Sequence, residues 1–205
     1  MITIDLKQQL KYLYKPSAKQ PETVTMPPLP FLMIDGEGDP NTAQAYRDAL
    51  EALYTTSYTL KFAFKKRRGI DYPVMALEGL WWMDDMAAFG SADKSDWKWT
   101  MMIVQPEVVT EADVAQAVAE AKAKKDLPAL DRLRLASFEE GFAAQIMHIG
   151  PYSAEAPTIA RLHEYIEQQG YSLSGKHHEI YIGDPRRSAP EKLRTIIRQP
   201  MHAKV

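Results

Sequence analysis

The chain has 205 residues, with 25 Lys or Arg against 27 Asp or Glu, a formal net charge of −2 and no Cys. That length suits one large domain or two small ones and buries most of the unfolded surface without a covalent staple. Without Cys there is no disulfide, iron–sulfur cluster or thiolate zinc site, and a near-neutral charge argues against a phosphate-neutralising face for direct nucleic-acid binding.

No apolar run is long enough for a transmembrane helix. The opening MITIDLKQQLKYLYK lacks the apolar core of a secretory signal, so the expected compartment is the cytoplasm. Leu6, Leu10 and Leu13 recur at helical spacing and predict an N-terminal helix over 3–15. Pro16, Pro21, Pro27, Pro28 and Pro30 follow, which predicts an extended connector over 16–30.

The apolar run 31–34 reads as a strand stopped by Asp35-Gly36-Glu37-Gly38-Asp39-Pro40. Residues 41–66 read as a long helix through Ala45, Ala49, Ala52, Leu53 and Leu60. It ends in Lys65-Lys66-Arg67-Arg68, where cations suit the helix dipole. Strands are expected at 73–82 and 97–105, joined by a polar hairpin loop at 90–96. Thr110-Glu111-Ala112-Asp113 resembles a capping box opening a helix over 111–125, and Pro128 starts a short helix to about residue 134. A strand over 138–149, a helix over 154–169 closed by Gly170, and strands over 177–183 and 192–199 complete the chain.

The two halves share the order strand, Gly turn, helix, strand, loop, strand. Thr100-Met101-Met102-Ile103-Val104-Gln105-Pro106 parallels Arg194-Thr195-Ile196-Ile197-Arg198-Gln199-Pro200. Leu77-Glu78-Gly79-Leu80-Trp81-Trp82 parallels His178-Glu179-Ile180-Tyr181-Ile182. Matched positions lie 114 (Gly36, Gly150), 101 (Glu78, Glu179) and 94 (Pro106, Pro200) residues apart. The extra length of the first copy therefore falls in its helix and its hairpin.

The expected fold is α+β, a single domain over 1–205. It consists of a tandem pseudo-two-fold β-α-β-β repeat over about 24–106 and 138–200, joined by a helical segment at 110–135. An antiparallel-dominated sheet would carry helices on one face and a ligand cleft between the repeats on the other.

Alternation pairs Glu179 with Tyr181, opposite Ile180 and Ile182. The isoleucines are expected to face the helices and Glu179 with Tyr181 the cleft, with Glu78 in the related place of the first repeat. A carboxylate among aromatics can act as a proton acceptor once desolvated, or stay charged and attract a cation beside ring faces. An exposed, solvated Glu is the bland alternative. Trp81, Trp82, Trp97 and Trp99 crowd one hairpin, and alternation does not let neighbouring rings share a face. Trp81, Trp82, Trp99, Tyr181 and Tyr72 are the ring candidates for a ligand wall, with His148 as a hydrogen-bonding neighbour. Tyr152, at a strand-to-helix turn, offers a phenol. His177 and His178 point to opposite faces and chelate poorly together, so no metal site is expected. No Walker A, GxSxG or dinucleotide fingerprint is present.

The segments Pro28 to Pro40, Leu77 to Trp82, Gly150-Pro151-Tyr152, Gly175 to Ile182 and Asp184-Pro185-Arg186-Arg187 resemble the GyrI-like small-molecule-binding proteins, and their stand-alone branch in particular. The resemblance implies a pseudo-two-fold pair of β-α-β-β units. It matches Glu179 to the family's pocket acid and implies binding of toxic or hydrophobic compounds. Some stand-alone members hydrolyse cyclopropane-bearing alkylating antibiotics, while relatives fused to helix-turn-helix domains sense drugs. For this chain two outcomes stay open. One is cofactor-independent hydrolysis by Glu179 or Glu78 with a phenol from Tyr152 or Tyr181. The other is a non-catalytic module that sequesters ligand or acts with a separate transcription regulator. Inhibition of a protein partner is a third. The expected partner is a small molecule, with no membrane contact and a monomer or homodimer as the assembly.

Overall fold

The computed structural model describes residues 1–89, 93–184 and 187–204. Part of the hairpin loop expected at 90–96 and the Pro185-Arg186 pair of the family-like motif lie outside the described residues. In chain order the elements are β1 (Ile2–Thr3), α1 (Leu6–Gln9), α2 (Lys11–Tyr14), β2 (Glu22–Met26), β3 (Leu29–Glu37) and α3 (Gln44–Arg68). There follow β4 (Ile70–Asp71), β5 (Leu77–Trp82), β6 (Lys98–Val104), α4 (Glu111–Lys122), β7 (Arg134–Phe138) and β8 (Gly141–Ile149). The last are α5 (Ala156–Gln168), β9 (Tyr171–Leu173), β10 (His177–Tyr181) and β11 (Arg194–Ala203). The fold is α+β, and β3–α3–β5–β6 and β8–α5–β10–β11 repeat one element order. Among the described residues no helix is long and apolar enough to cross a membrane.

The chain forms two compact units. Unit 1 holds Met1–Gln9, Leu29–Met75 and Trp81–Phe138. In it β3 pairs antiparallel with β6 (Phe31 opposite Val104 through Glu37 opposite Lys98) and, along its other edge, with β7. The 25 residues of α3 pack on β3, β6 and α4, burying Ala49, Ala52, Leu53, Leu60 and Phe64. The capping box is present: Thr110 Oγ1 accepts from the Asp113 N–H, and the Asp113 side chain accepts from the Thr110 N–H. Trp99, fully buried, lies over Gly36, its cross-strand partner; a Cβ there would stand 2.1 Å from Trp99 Cη2.

Unit 2 holds Leu10–Pro28, Ala76–Leu80 and Glu139–Val205. Its strands run in the order β2-β8-β11-β10, all antiparallel, with β9 also on β11. The 13-residue α5 seals one face: Leu162 and Ile166 pack on Ala144, Ile146, Ile197 and Met201.

Three expectations are corrected here. The N-terminal helix over 3–15 is two short helices, α1 and α2, preceded by β1. The Pro-rich connector contains β2; its prolines fall outside Glu22–Met26, and β2 sits at a strand-order edge, where pairing on one side suffices. The strand expected over 138–149 is β8 and begins only at Gly141, whose φ of 73° lies in the left-handed region; Phe138 instead closes the separate strand β7.

Gly36→Ala is expected to destabilise by about 1–3 kcal/mol or more, since Trp99 has nowhere to retreat. A urea midpoint equal to wild type would contradict the close approach.

Candidate functional site

On β10, alternation places His177, Glu179 and Tyr181 on one face and His178 and Ile180 on the other. The register identifies the faces. Glu179 is directly opposite Ile197, and opposed residues of an antiparallel pair share a face. Ile197 packs against Leu162 and Ile166 of α5, so Glu179 and Tyr181 are on the α5 side. The expectation that Ile180 would face the helix is therefore reversed. Burial misled because both faces of this part of unit 2 are covered. Residues 12–14 lie on the opposite side, reached there by Arg198 and Gln145.

On the α5 side the Glu179 carboxylate is held at both oxygens. His177 Nε2 lies 3.0 Å from Oε1, and the Tyr181 hydroxyl donates to Oε2 at 2.7 Å. The Tyr181 ring meets Tyr152 edge-on with centroids 5.7 Å apart. Exposure falls along this row, from 41% at Tyr152 to 16% and 5% for the Glu179 and His177 side chains. Tyr181 stands opposite Thr195, and Thr195 opposite His148. His148 Nδ1 lies 2.9 Å from Thr158 Oγ1 of α5. The buried Thr195 hydroxyl has no hydrogen-bond partner among the described residues. His163 of α5 is held below its ordinary 6.5, first by burial and then by His177, and is neutral at neutral pH. Glu179, Tyr181, Tyr152 and His148 are thus brought together in unit 2.

Glu78 belongs to a different cluster of the same unit. It is 1% exposed. The Tyr14 hydroxyl donates to its Oε1, and His178 Nε2 lies 3.0 Å from its Oε2. The other imidazole nitrogen, Nδ1, faces Glu140 at 2.9 Å. Arg198, 1% exposed, reaches Glu140 Oε2 at 3.4 Å, Gln145 Oε1 at 3.0 Å and the Leu13 carbonyl at 2.6 Å. A nitrogen facing an ionised carboxylate must donate, so two such neighbours call for an imidazolium. Burial opposes that charge, yet Glu140 and then Glu78 raise His178 above its ordinary 6.5. Burial likewise works against the Glu140 carboxylate, but His178 and Arg198 leave it below its ordinary 4.5. Burial, then Glu78, pushes the Tyr14 phenol well up. This is a closed structural cluster with both Glu78 oxygens occupied.

The remaining ring candidates are in unit 1. Trp81, 3% exposed, packs against Tyr46 and Trp97 with centroids 5.9 and 5.6 Å away. Trp99 meets Tyr46 edge-on at 5.5 Å. Tyr72, 2% exposed, meets Phe64 edge-on, and burial lifts its phenol above the ordinary range. Trp81, Trp99 and Tyr72 are packed as core side chains, and Trp82 is partly buried. Sequence reasoning passed over Tyr14, Glu140, Arg198 and His163, and gave no role to His177 or His178. One signal was present: Arg198 interrupts the apolar run of its strand, and a buried Arg requires partners.

Unit 2 thus seats an acid beside phenols on an α+β scaffold. The family model described as "GyrI-like small molecule binding domain" matches residues 19–201, and the chain belongs to that family. A Listeria innocua structure described as an uncharacterized conserved protein is 38% identical over 97% of this chain and 100% of that one, with a TM-score of 0.89. Two more from that organism, each described as a hydrolase, are similar. One is 37% identical over 97% and 100% with a TM-score of 0.84, the other 38% over 98% and 100% with 0.86. No curated protein matches the chain.

Glu78→Gln is expected to cost about 3–5 kcal/mol of stability, because it leaves a buried cation short of its partner. Glu179→Gln, at a partly exposed position, should cost about 1 kcal/mol. Equal urea midpoints for the two variants would contradict the division of roles. The pH dependence follows from the two shifts. His178 contributes stability that is complete below 6.5 and lost as pH rises through its raised folded pKa. Glu140 contributes stability present above 4.5 and lost as pH falls through its lowered one. Urea midpoints should therefore be highest between those values and decline on the alkaline side; a midpoint still rising there would contradict the His178 assignment.

Proposed function

We propose that the chain binds small hydrophobic, aromatic or cationic compounds at the Glu179 row and hydrolyses cyclopropane-bearing alkylating compounds there, a detoxifying reaction. The observation that carries this reading is a partly covered carboxylate reached through two tyrosines, one of them open to solvent. Two relatives described as hydrolases, at 37% and 38% identity, support it.

A flat aromatic substrate would stack on Tyr152, and a cation would be held by Glu179 beside the tyrosine faces. In the hydrolysis the water oxygen bonds to a cyclopropane methylene carbon. The adjoining carbon–carbon bond breaks, and its electron pair passes through the conjugated ring to the ketone oxygen, which becomes a phenol. Glu179 takes the proton that water loses, and the Tyr152 hydroxyl gives one to the former ketone oxygen. Proton return from Glu179 to Tyr152 completes the cycle. Tyr181, whose hydroxyl proton is directed at Glu179, holds the base in place. Glu78 takes no part, since both its oxygens are engaged within its own cluster.

One observation favours sequestration without turnover as the second reading. Both Glu179 oxygens already have a hydrogen-bonding neighbour, which weakens a carboxylate as a proton acceptor.

Incubation with a spirocyclopropyl cyclohexadienone, with the ring-opened alcohol followed by mass spectrometry, separates the two. Hydrolysis predicts turnover that falls about 100-fold or more in Glu179→Gln and less in Tyr152→Phe. Binding of the dienone without turnover leaves sequestration, and unchanged turnover in Glu179→Gln removes the acid from the mechanism.

A further inference from the structure

We infer that His177 is the positioning residue for Glu179, fixing the orientation of its carboxylate and favouring its ionised form. The inference rests on the reading of Glu179 as the working acid of the site. His177 and Glu179 stand two residues apart on one face of β10, and the strand pleat brings His177 Nε2 to 3.0 Å from Oε1. With Tyr181 donating to Oε2 from two residues further along, the carboxylate is gripped from both sides by its own strand. A side chain held at both oxygens does not rotate, so the remaining lone pairs point in a fixed direction.

The two donors differ in what they can supply. Tyr181 has a single hydroxyl proton, and its ring extends outward to Tyr152. The His177 side chain is 5% exposed, at the inner end of the row. An N–H there replaces the water that would otherwise solvate Oε1. Accepting from Nε2 also fixes the imidazole tautomer, the arrangement in which a carboxylate and a histidine orient each other. Of the neighbouring titratable groups, Tyr152 lies beyond Tyr181, His148 turns to Thr158 and the Pro151 carbonyl, and His163 of α5, held low first by burial and then by His177, is neutral at neutral pH. The adjacent histidines thus divide the two acids between them, His178 with Glu78 inside the closed cluster and His177 with Glu179 at the site.

The test compares wild type with His177→Phe, which removes the donor, and His177→Gln, which can restore one through its amide. With the spirocyclopropyl cyclohexadienone as substrate, His177→Phe is expected to lower kcat about 10-fold with little change in KM, and to move the acid limb of the pH profile to higher pH. His177→Gln should recover most of both. A carbon-13 titration of the Glu179 carboxyl in the substrate-free protein reads the same effect without turnover. An upward move of the Glu179 titration in His177→Phe, reversed in His177→Gln, supports the inference even where wild type leaves the dienone unhydrolysed. In that case only the hydrolytic reading fails. An unmoved Glu179 titration overturns the inference even where turnover is brisk. Should His177→Phe not fold, the nitrogen-15 shift of His177 Nε2 in wild type and Glu179→Gln reads the bond from the other end; identical shifts overturn the inference.

Discussion

One imidazole with a carboxylate at each nitrogen organises unit 2. His178 is fully buried between Glu78 and Glu140, and Arg198 supplies the second positive charge. Burying four ionisable groups is expensive, and an apolar cluster of the same volume could be as stable. What charges add is direction. Each partner accepts one geometry, and the partners come from parts of the sequence far apart: Tyr14 in α2, Glu78 in β5, Glu140 beside β8 and Arg198 in β11. The carbonyls of Tyr12 and Leu13, left without helical partners at the end of α2, are taken by Gln145 and Arg198. The N-terminal segment is thereby tied to the β8–β11 ladder by side chains it does not itself provide.

The same imidazole sets the facing of β10. With His178 fixed on the covered side away from α5, alternation leaves His177, Glu179 and Tyr181 no choice but the α5 side. A one-residue slip would exchange the two sets, bringing Glu179 to the closed cluster and the buried Ile180 to the row. The polar row and the closed cluster are thus two consequences of one register. The two acids expected to be equivalent have parted. Glu78 is walled in among cations and a phenol, while Glu179 keeps partial exposure beside a solvent-facing tyrosine.

Much of this was legible in the sequence. The order β-α-β-β appears twice because each copy carries its own Gly turn, helix period and closing apolar strand. The capping box at Thr110 and the long α3 are local signals, and they hold. Glu179 and Tyr181 share a face because the period of two is geometric. What was not legible is which face that is. Composition treats a buried Ile as helix-facing, but Ile180 is buried by the other side. The sheet edge also hid strands: β2 is short and bracketed by prolines, and β7 opens on exposed Arg134, whose partner Asp35 lies on β3. Trp99 lies flat over Gly36, and that cross-strand packing is invisible to a one-dimensional pattern.

The protonation of His178 tests this account most directly. Carboxyl groups at 3.0 and 2.9 Å from its two nitrogens call for both nitrogens to carry protons. Nitrogen-15 NMR of the folded protein at neutral pH should show His178 with two protonated-type ring nitrogens, while His163 shows one bare nitrogen. A His178 spectrum with one unprotonated nitrogen would contradict the charge arrangement on which the placement of β10, the N-terminal segment and Glu179 rests.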